Sequence, residues 1–225
     1  MTGREYTYEM AHGMSKKFGS ALISMGAKKG DVLCMVVPNI PEFPIAFLGA
    51  CGVGVTLTTM NPTYRPEEIA RQLEMSGSKY VITIGLFLEN IKQAAHIYGG
   101  VEKIIVLGMD ETPEDCISFL QMVIMDDGSN YGDRTDFDPH NDIVVLPFSS
   151  GTTGPPKGTY IHIFLLKKSA KKFVKSLFTK KSAKKCNLTG QCTFGLKGTN
   201  QRFLKFFKME LFQRGQRSEK SFQKR

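Results

Sequence analysis

Acidic residues almost disappear from this chain after Gly158. Residues 159–225 contain 18 Lys and Arg but only two acids, Glu210 and Glu219, which gives them a net charge of +16. Residues 1–158 have the opposite balance, with 12 Lys and Arg, 19 Asp and Glu, and a net charge of −7. The overall charge of +9 averages these two compositions. The sequence therefore predicts two regions, an acidic globular part over 1–158 and a basic tail over 159–225 that is not an independent domain.

The chain also lacks the residue spacings of metal sites and disulfide frameworks. Its five Cys residues are scattered and odd in number, without a Cys-x-x-Cys pair, and its four His residues lie far apart. No signal peptide opens the sequence. We therefore expect no metal site made by the protein and a reduced, intracellular setting.

One uncharged stretch, Phe43 to Tyr64, is long enough to suggest a membrane span. Its Gly, Thr and Pro content, with Asn61-Pro62 near its end, is more typical of a helix, a turn and a buried strand. The sequence therefore predicts no transmembrane segment here.

Apolar patterns of helix and strand type alternate along residues 1–158. Thr7 can cap a helix that ends before Gly26, and the continuous apolar run Val32–Val37 is typical of a strand buried on both faces. Strands separated by helices indicate crossover units and a largely parallel sheet, an α/β fold. Further helices are predicted at 41–52, from 66, at 88–97 and at 117–124, and further strands at 55–59, 80–83, 103–107 and 143–148.

A Gly-rich loop with one Lys follows the last of these strands. It reads Ser149-Ser150-Gly151-Thr152-Thr153-Gly154-Pro155-Pro156-Lys157-Gly158. Glycine lets backbone N–H groups approach and wrap an anion, hydroxyls donate further hydrogen bonds, and Lys157 adds a positive charge. The loop is not a Walker A motif, and the chain has no Gly-x-Gly-x-x-Gly sequence. The weaker alternative to a phosphate-binding loop is an ordinary Ser/Thr/Gly/Pro connection that binds no ligand.

The loop closely resembles the phosphate-binding signature of the adenylate-forming (AMP-binding) enzymes, which include acyl- and aryl-CoA synthetases, 4-coumarate–CoA ligases and firefly-luciferase-like proteins. Other segments resemble landmarks of the same family in the same order, over about residues 3–158. They are Tyr6-Thr7-Tyr8, Lys29-Gly30-Asp31-Val32, Pro38-Asn39, Phe47-Leu48-Gly49-Ala50 and Asn61-Pro62.

This resemblance implies that 1–158 is the N-terminal part of an adenylation domain ending at the phosphate loop. It implies ATP with Mg²⁺ as cofactors, a small carboxylic acid as substrate, and CoA in full-length relatives. It assigns ATP-phosphate contacts to the loop and no catalytic residue to this chain. The ATP-binding positions are Ser149, Ser150, Gly151, Thr152, Thr153, Gly154 and Lys157. The resemblance also implies a cytoplasmic or peroxisomal location. The chain ends in Gln223-Lys224-Arg225 and not in a Ser-Lys-Leu-like peroxisomal tripeptide.

Several parts of the family pattern are absent from these 225 residues. The Tyr-(Arg/Lys)-Thr-Gly-Asp segment that holds the ribose, the small C-terminal domain with its assisting lysine, and most of the acyl pocket do not occur. Because His162 is one residue early and lacks the preceding Thr, it receives no role. We expect a truncated chain that is inactive alone. We also expect it to be poorly soluble or molten, because the strand at 143–148 would present an unpaired or poorly covered sheet edge.

Three interpretations of residues 159–225 remain open. A frame slip or unspliced message would explain the excess of Lys and Phe, and this is the interpretation that we favour. The tail could instead form a basic amphipathic helix for anionic membranes, with Leu166, Phe173, Val174 and Leu177 on one face, or bind nucleic acid non-specifically. The alternative function is thus a polyanion- or membrane-surface-binding protein.

Overall fold

Strands and helices alternate along the chain in the order that the sequence predicts. The structure, a computed structural model, describes residues 6–109, 111–132, 137–149 and 157–162, with the backbone alone for Ser149 and Lys157. These residues belong to one compact unit, Met1–His162. A second unit, Ile163–Arg225, contains the predicted tail beyond residue 162 and lies outside the described residues.

The helices and strands match the predicted ones closely. The helices are α1 Tyr8–Ser24, α2 Glu42–Gly52, α3 Pro66–Ser76, α4 Leu88–Tyr98 and α5 Phe119–Met125, with short 3₁₀ helices at Gly85–Phe87 and Ser129–Tyr131. The strands are β1 Val32–Val36, β2 Thr56–Thr59, β3 Ser78–Ile84, β4 Lys103–Leu107, β5 Ile117–Ser118, β6 Ile143–Leu146, β7 Phe148–Ser149, β8 Lys157–Gly158 and β9 Ile161–His162.

Seven strands form a single sheet with the order β5-β4-β3-β1-β2-β6-β9. Every neighbouring pair is parallel except β6 and β9, which are antiparallel. The prediction of an α/β fold with a mainly parallel sheet is confirmed. Since β2 and β3 lie on opposite sides of β1, the direction of strand addition reverses at the centre of the sheet, as in doubly wound folds.

The strand β1 is buried along its whole length, as its continuous apolar run predicts. Cys34 and Val36 belong to an apolar cluster with side chains from α3 and α4, such as Leu73 and Ile91. Successive strand residues point to opposite faces, so Leu33 and Met35 face the other layer. The helix α1 packs against α2 and α5, and the rings of Phe18 and Phe119 lie 4.9 Å apart.

Local signals set the ends of the helices. The Thr7 hydroxyl oxygen accepts the N–H of Met10 at 3.2 Å and caps α1, and Gly26 follows with φ of 95°. At the start of α3, the Glu68 carboxylate accepts the N–H of Arg65 at 2.9 Å. These contacts satisfy N–H groups that have no partner inside a helix.

The uncharged stretch from Phe43 to Tyr64 contains most of α2 and the whole of β2. In the part of the chain that the structure describes, none of the helices combines the length and the apolar character that a membrane span requires.

Three details differ from the predictions. Ile117 and Ser118, predicted as the start of a helix, form β5 beside β4, and α5 begins at Phe119. The predicted strand at 143–148 breaks at Pro147, because proline has no N–H to continue the pairing. This strand is also not an unpaired edge, since β6 lies between β2 and β9. The strand β9 has only two residues, so the alternative of a poorly covered edge stays a prediction.

Candidate functional site

The Gly-rich loop begins at the carboxyl end of a parallel strand. The strand β6 runs parallel to β2, so its end lies on the same edge of the sheet as the ends of β1, β2, β3 and β4. Ligands of open α/β sheets bind in the crevice outside this edge. The fold therefore places the start of the loop sequence at the edge where such proteins hold their ligands.

A short antiparallel pair closes the base of the loop. Phe148 pairs with Gly158 and Ser149 pairs with Lys157, so the backbone leaves and returns at adjacent positions. Below this pair, the N–H of Thr159 donates to the carbonyl oxygen of Pro147 at 3.0 Å. The backbone pairing thus joins the two ends of the Gly-rich sequence, and the seven residues between them, 150–156, lie outside the described residues.

Gly158 allows the two strands of this pair to pack closely. A Cβ atom at this position would lie 3.3 Å from Cζ of the Phe148 ring, which is tighter than usual carbon contacts. A side chain here would push against an aromatic ring at the base of the loop. The second glycine in Gly-Pro-Pro-Lys-Gly is therefore explained by packing.

Two threonine hydroxyls join β2 to β6. Thr58 Oγ1 donates to the carbonyl oxygen of Leu146 at 2.7 Å, and Thr56 Oγ1 donates to that of Ile143 at 2.9 Å. Both threonines are buried, with exposed fractions of 0% and 4%. The predicted site does not include them, although two threonines inside a buried strand are a usable signal in the sequence, since buried hydroxyls need hydrogen-bond partners.

The loop after β2 reaches the same edge of the sheet. The Asn61 side-chain oxygen accepts the N–H of Thr63 at 3.0 Å and its hydroxyl at 2.9 Å. At the end of β2, Gln72 Nε2 donates to the carbonyl oxygen of Thr59 at 3.1 Å. The Asn61-Pro62 landmark is therefore a hydrogen-bonded turn beside the candidate site.

The clearest pKa shifts belong to groups with structural roles. Burial raises the pKa of the Cys34 thiol well above its ordinary value, so this cysteine stays protonated and is a poor nucleophile. The hydrogen bond to Asp31 raises the pKa of Lys79, whose Nζ lies 2.8 Å from Asp31 Oδ1. Asp31 precedes β1, at the amino end of the strand, so this ion pair lies at the opposite end from the loop.

The structure brings together only two of the predicted ATP-binding positions, Ser149 and Lys157, through their backbones. Ser150, Gly151, Thr152, Thr153 and Gly154 lie outside the described residues, as do the side chains of Ser149 and Lys157. The assignment of phosphate contacts to these seven residues remains a prediction.

His162, to which the sequence gives no role, lies half-buried on β9 opposite Ile143. Among the described residues, no three His, Cys, Asp or Glu side chains are grouped so that they could hold a metal ion.

Comparison with known proteins identifies the family. A family model described as AMP-binding enzyme matches residues 1–179. The chain belongs to the AMP-binding enzyme family. This match extends beyond residue 158, so the domain boundary predicted there remains a prediction.

The curated relatives of this chain include plant ligases. It is 35% identical over 161 residues to 4-coumarate–CoA ligase 3 of Arabidopsis thaliana, which covers 71% of the chain and 28% of the relative. It is 36% identical over 162 residues to 4-coumarate–CoA ligase CCL1 of Humulus lupulus, with 71% and 28% covered. The chain thus spans less than a third of the length of these relatives.

Solved structures show the same fold. The anthranilate CoA ligase AuaEII in complex with anthranoyl-AMP superposes with a TM-score of 0.65 at 24% identity, covering 71% of this chain and 30% of that one. The red-emitting luciferase of Phrixothrix hirtus gives 0.64 at 22% identity, covering 72% and 40%. At these identities the likeness supports the fold alone.

Proposed function

We propose that this chain carries the ATP-phosphate-binding part of an acyl- or aryl-CoA synthetase. The observation that supports the proposal most directly is the pairing of β7 with β8, which brings together the two ends of a Gly-rich, Lys-containing sequence after the carboxyl end of β6. Membership of the AMP-binding family and the ligase names of the relatives support the same class of reaction.

The proposed reaction has two steps. A carboxylate oxygen of the acid substrate attacks the α-phosphorus of ATP, and the bond to the bridging oxygen breaks as pyrophosphate leaves. The CoA thiol then attacks the acyl carbon of the adenylate, AMP leaves, and a thioester forms. The first step needs the β- and γ-phosphates to be held and their growing negative charge to be offset.

We propose that the seven loop positions supply this stabilisation. The hydroxyls of Ser149, Ser150, Thr152 and Thr153 and the loop N–H groups would donate to phosphate oxygens, and Gly151 and Gly154 would let the backbone approach. Lys157 would bring its charge to the departing pyrophosphate. Mg²⁺ would accompany the nucleotide, since it is usually held by substrate phosphates with few protein ligands and neutralises phosphate charge when bound.

The same 225 residues contain no Tyr-(Arg/Lys)-Thr-Gly-Asp segment for ribose binding. We therefore propose that this polypeptide binds ATP phosphates without completing thioester synthesis, because the orientation of substrate and nucleotide would be incomplete. An intracellular location, cytoplasmic or peroxisomal, and a carboxylic acid as substrate belong to the same proposal.

The first experiment measures binding of Mg²⁺–ATP by calorimetry to the 225-residue chain and to two lysine variants. Lys157→Ala should weaken binding about tenfold to a hundredfold, since hydrogen bonds to charged groups contribute about 1.5–3 kcal/mol. Lys103→Ala is the matched control, because Lys103 is exposed at the amino end of β4, away from the loop. No ATP binding, or equal losses in both variants, would contradict the proposed site.

A second experiment measures pyrophosphate release with a panel of aryl and fatty acids. We expect no acid-dependent release from this chain. Turnover that requires an acid and is lost in Lys157→Ala would show that the 225 residues suffice for adenylation, against the proposal.

The basic composition of 159–225 favours a second candidate function, binding to polyanions or anionic membranes. Binding of the chain to mixed-sequence DNA, RNA and anionic vesicles should weaken steeply with salt, because each neutralised phosphate releases counterions. Replacing Lys167, Lys168, Lys171 and Lys172 with Gln should lower the DNA salt slope by about 0.9 for each phosphate that is no longer neutralised. Salt-resistant, selective binding to one partner would contradict a non-specific tail and indicate an evolved interaction.

A further inference from the structure

The Gly-rich loop is attached to the sheet through the last residues of β6. Leu146 is the final residue of this strand, and only two Cα pairs connect β6 to β2, Leu57 with Val145 and Thr58 with Leu146. Pro147 follows and has no N–H group to donate. The orientation in which the chain enters the loop therefore depends on what holds Leu146 and Pro147.

Two hydrogen bonds hold these two residues from opposite sides. On the β2 side, Thr58 Oγ1 donates to the carbonyl oxygen of Leu146 at 2.7 Å. On the hairpin side, Thr159 N–H donates to the carbonyl oxygen of Pro147 at 3.0 Å. The two carbonyl groups lie on either side of the Pro147 Cα atom, between the end of β6 and the start of β7.

Thr58 is well placed to fix this position rigidly. It is fully buried and lies directly opposite Leu146 in the strand register, so its hydroxyl has little freedom to choose another acceptor. A β-branched side chain also has few χ1 rotamers, which limits the cost of holding the hydroxyl in one direction. A threonine here therefore positions the start of the loop as well as packing between strands.

We propose that Thr58 is a positioning residue that fixes the base of the phosphate loop, residues 147–149 and 157–159, through the carbonyl of Leu146. The proposal rests on the proposed function in so far as the loop binds ATP, but its structural part concerns the loop base alone. Thr58 touches no substrate in this assignment. It acts through Leu146, Pro147 and the paired residues of β7 and β8.

Thr56 provides a matched control within the same strand. Its hydroxyl makes the same kind of bond to β6, but to the carbonyl of Ile143, at the amino end of that strand and away from the loop. Thr56→Val and Thr58→Val each remove one buried hydroxyl and leave one strand carbonyl without that donor. A purely structural role for both residues predicts similar effects of the two changes.

The experiment compares the full chain with Thr58→Val, Thr56→Val and Thr58→Ser by hydrogen exchange and Mg²⁺–ATP binding. In Thr58→Val we expect the amides of residues 157–159 to exchange roughly tenfold faster and ATP binding to weaken by roughly fivefold to tenfold, the size expected when one buried carbonyl loses its donor. In Thr56→Val both properties should stay near those of the unchanged chain. Thr58→Ser, which keeps the hydroxyl, should restore both.

Two readouts keep the outcomes separate. If the unchanged chain fails to bind ATP, the proposed function is wrong, and the exchange rates of residues 157–159 still decide whether Thr58 positions the loop base. Equal exchange in Thr56→Val and Thr58→Val would overturn the inference, as would a Thr58→Ser variant that behaves like Thr58→Val. If Thr58→Val does not fold, Thr58→Ala and Thr56→Ala replace the valine pair, and equal exchange at 157–159 in these two variants would overturn the inference.

Discussion

The centre of the sheet and its β6 end are held together in different ways. The strands β3 and β4 pair over five residues, and β1 between β3 and β2 is buried along its whole length. The strand β6 pairs with β2 over two residues, alternates between buried and half-buried positions, and receives two threonine hydroxyls. The centre also contains one such bond, from Thr83 Oγ1 to the carbonyl oxygen of Val36 at 3.1 Å. The centre thus depends mainly on apolar burial and long pairing, whereas β6, with its short pairing, depends more on directed hydrogen bonds.

This difference bears on where a binding loop can be placed. A strand buried on both faces is fixed by close packing on every side, and its neighbours restrict the chain that follows. A shorter, partly exposed strand leaves room at its end for a hairpin such as that of β7 and β8. The loop is then positioned by bonds that can be removed singly, which makes the comparison open to experiment.

The largest effect on stability should come from shortening a valine to alanine, which removes the same two methyl groups at the centre of the sheet and in β6. Val81 in β3 is fully buried, whereas Val145 in β6 is half-buried. Val81→Ala should lower the free energy of unfolding by about 2–3 kcal/mol, and Val145→Ala by less than about 1 kcal/mol, because only the first leaves an enclosed cavity. Urea denaturation of the full chain measures both. Equal losses would show that the two ends are packed alike.

An effect of intermediate size on the free energy of unfolding should appear at alkaline pH, where the Cys34 thiol ionises in the unfolded chain. Burial holds the pKa of Cys34 above its ordinary value of 9.0, while in the unfolded chain the thiol ionises near that value. Because the folded pKa is the higher one, this contribution is fully present below pH 9 and is lost as the pH rises further. Stability should fall by about 1.4 kcal/mol per pH unit for this thiol above pH 9.

The control for this effect is a second cysteine at the β5 edge of the sheet. Cys116 is only half-buried, so Cys116→Ala should alter the alkaline slope less than Cys34→Ala does. Denaturation curves between pH 8 and 10 for both variants give the comparison. A slope that does not change in Cys34→Ala would mean that water reaches the centre of the sheet.

The sequence predicted the central elements well because their signals are local. The apolar run of β1, the Thr7 cap of α1 and Pro66 at the start of α3 each act within a few residues of their own position. Burial on both faces of a parallel sheet demands a continuous apolar strand, and this demand is visible in the sequence. The alternation that results is sufficient to indicate the fold class.

The sheet edges were predicted less well because they depend on distant partners. The strands β5 and β9 have two residues each, and they exist through pairing with β4 and β6. Two residues carry no periodic pattern of their own. The break at Pro147 could have been foreseen, since proline does not continue a central strand, but the hydrogen bond from Thr58 to Leu146 joins residues 88 positions apart.

The candidate site likewise has a part that the sequence predicts and a part that only the structure shows. The loop itself was visible in the sequence as a run of small residues with one lysine. What holds the loop came only from the structure: the pairing of Ser149 with Lys157, the contact of Gly158 with Phe148, and the bond from Thr58. Sequence reasoning thus found the ligand-binding candidates and missed their supports.

The smallest effect should come from the two prolines that end strands. Pro147 follows β6, and Pro38 lies just beyond β1. Replacing either with Ala gives the unfolded chain more freedom, so the free energy of unfolding of each variant should fall by about 0.4–1 kcal/mol where the native backbone suits proline.

The two variants should differ at the loop, because only the Pro147 carbonyl accepts the N–H of Thr159. Pro147→Ala supplies a backbone N–H at position 147, so β6 can continue to Phe148 as the single strand that the apolar pattern of 143–148 predicts. We therefore expect faster amide exchange at Thr159 in Pro147→Ala and unchanged exchange there in Pro38→Ala. Equal exchange in the two variants would mean that β7 and β8 hold the loop base without Pro147. The contrast between the centre of the sheet and β6 would then rest on the short pairing of β6 and on its bonds from Thr56 and Thr58.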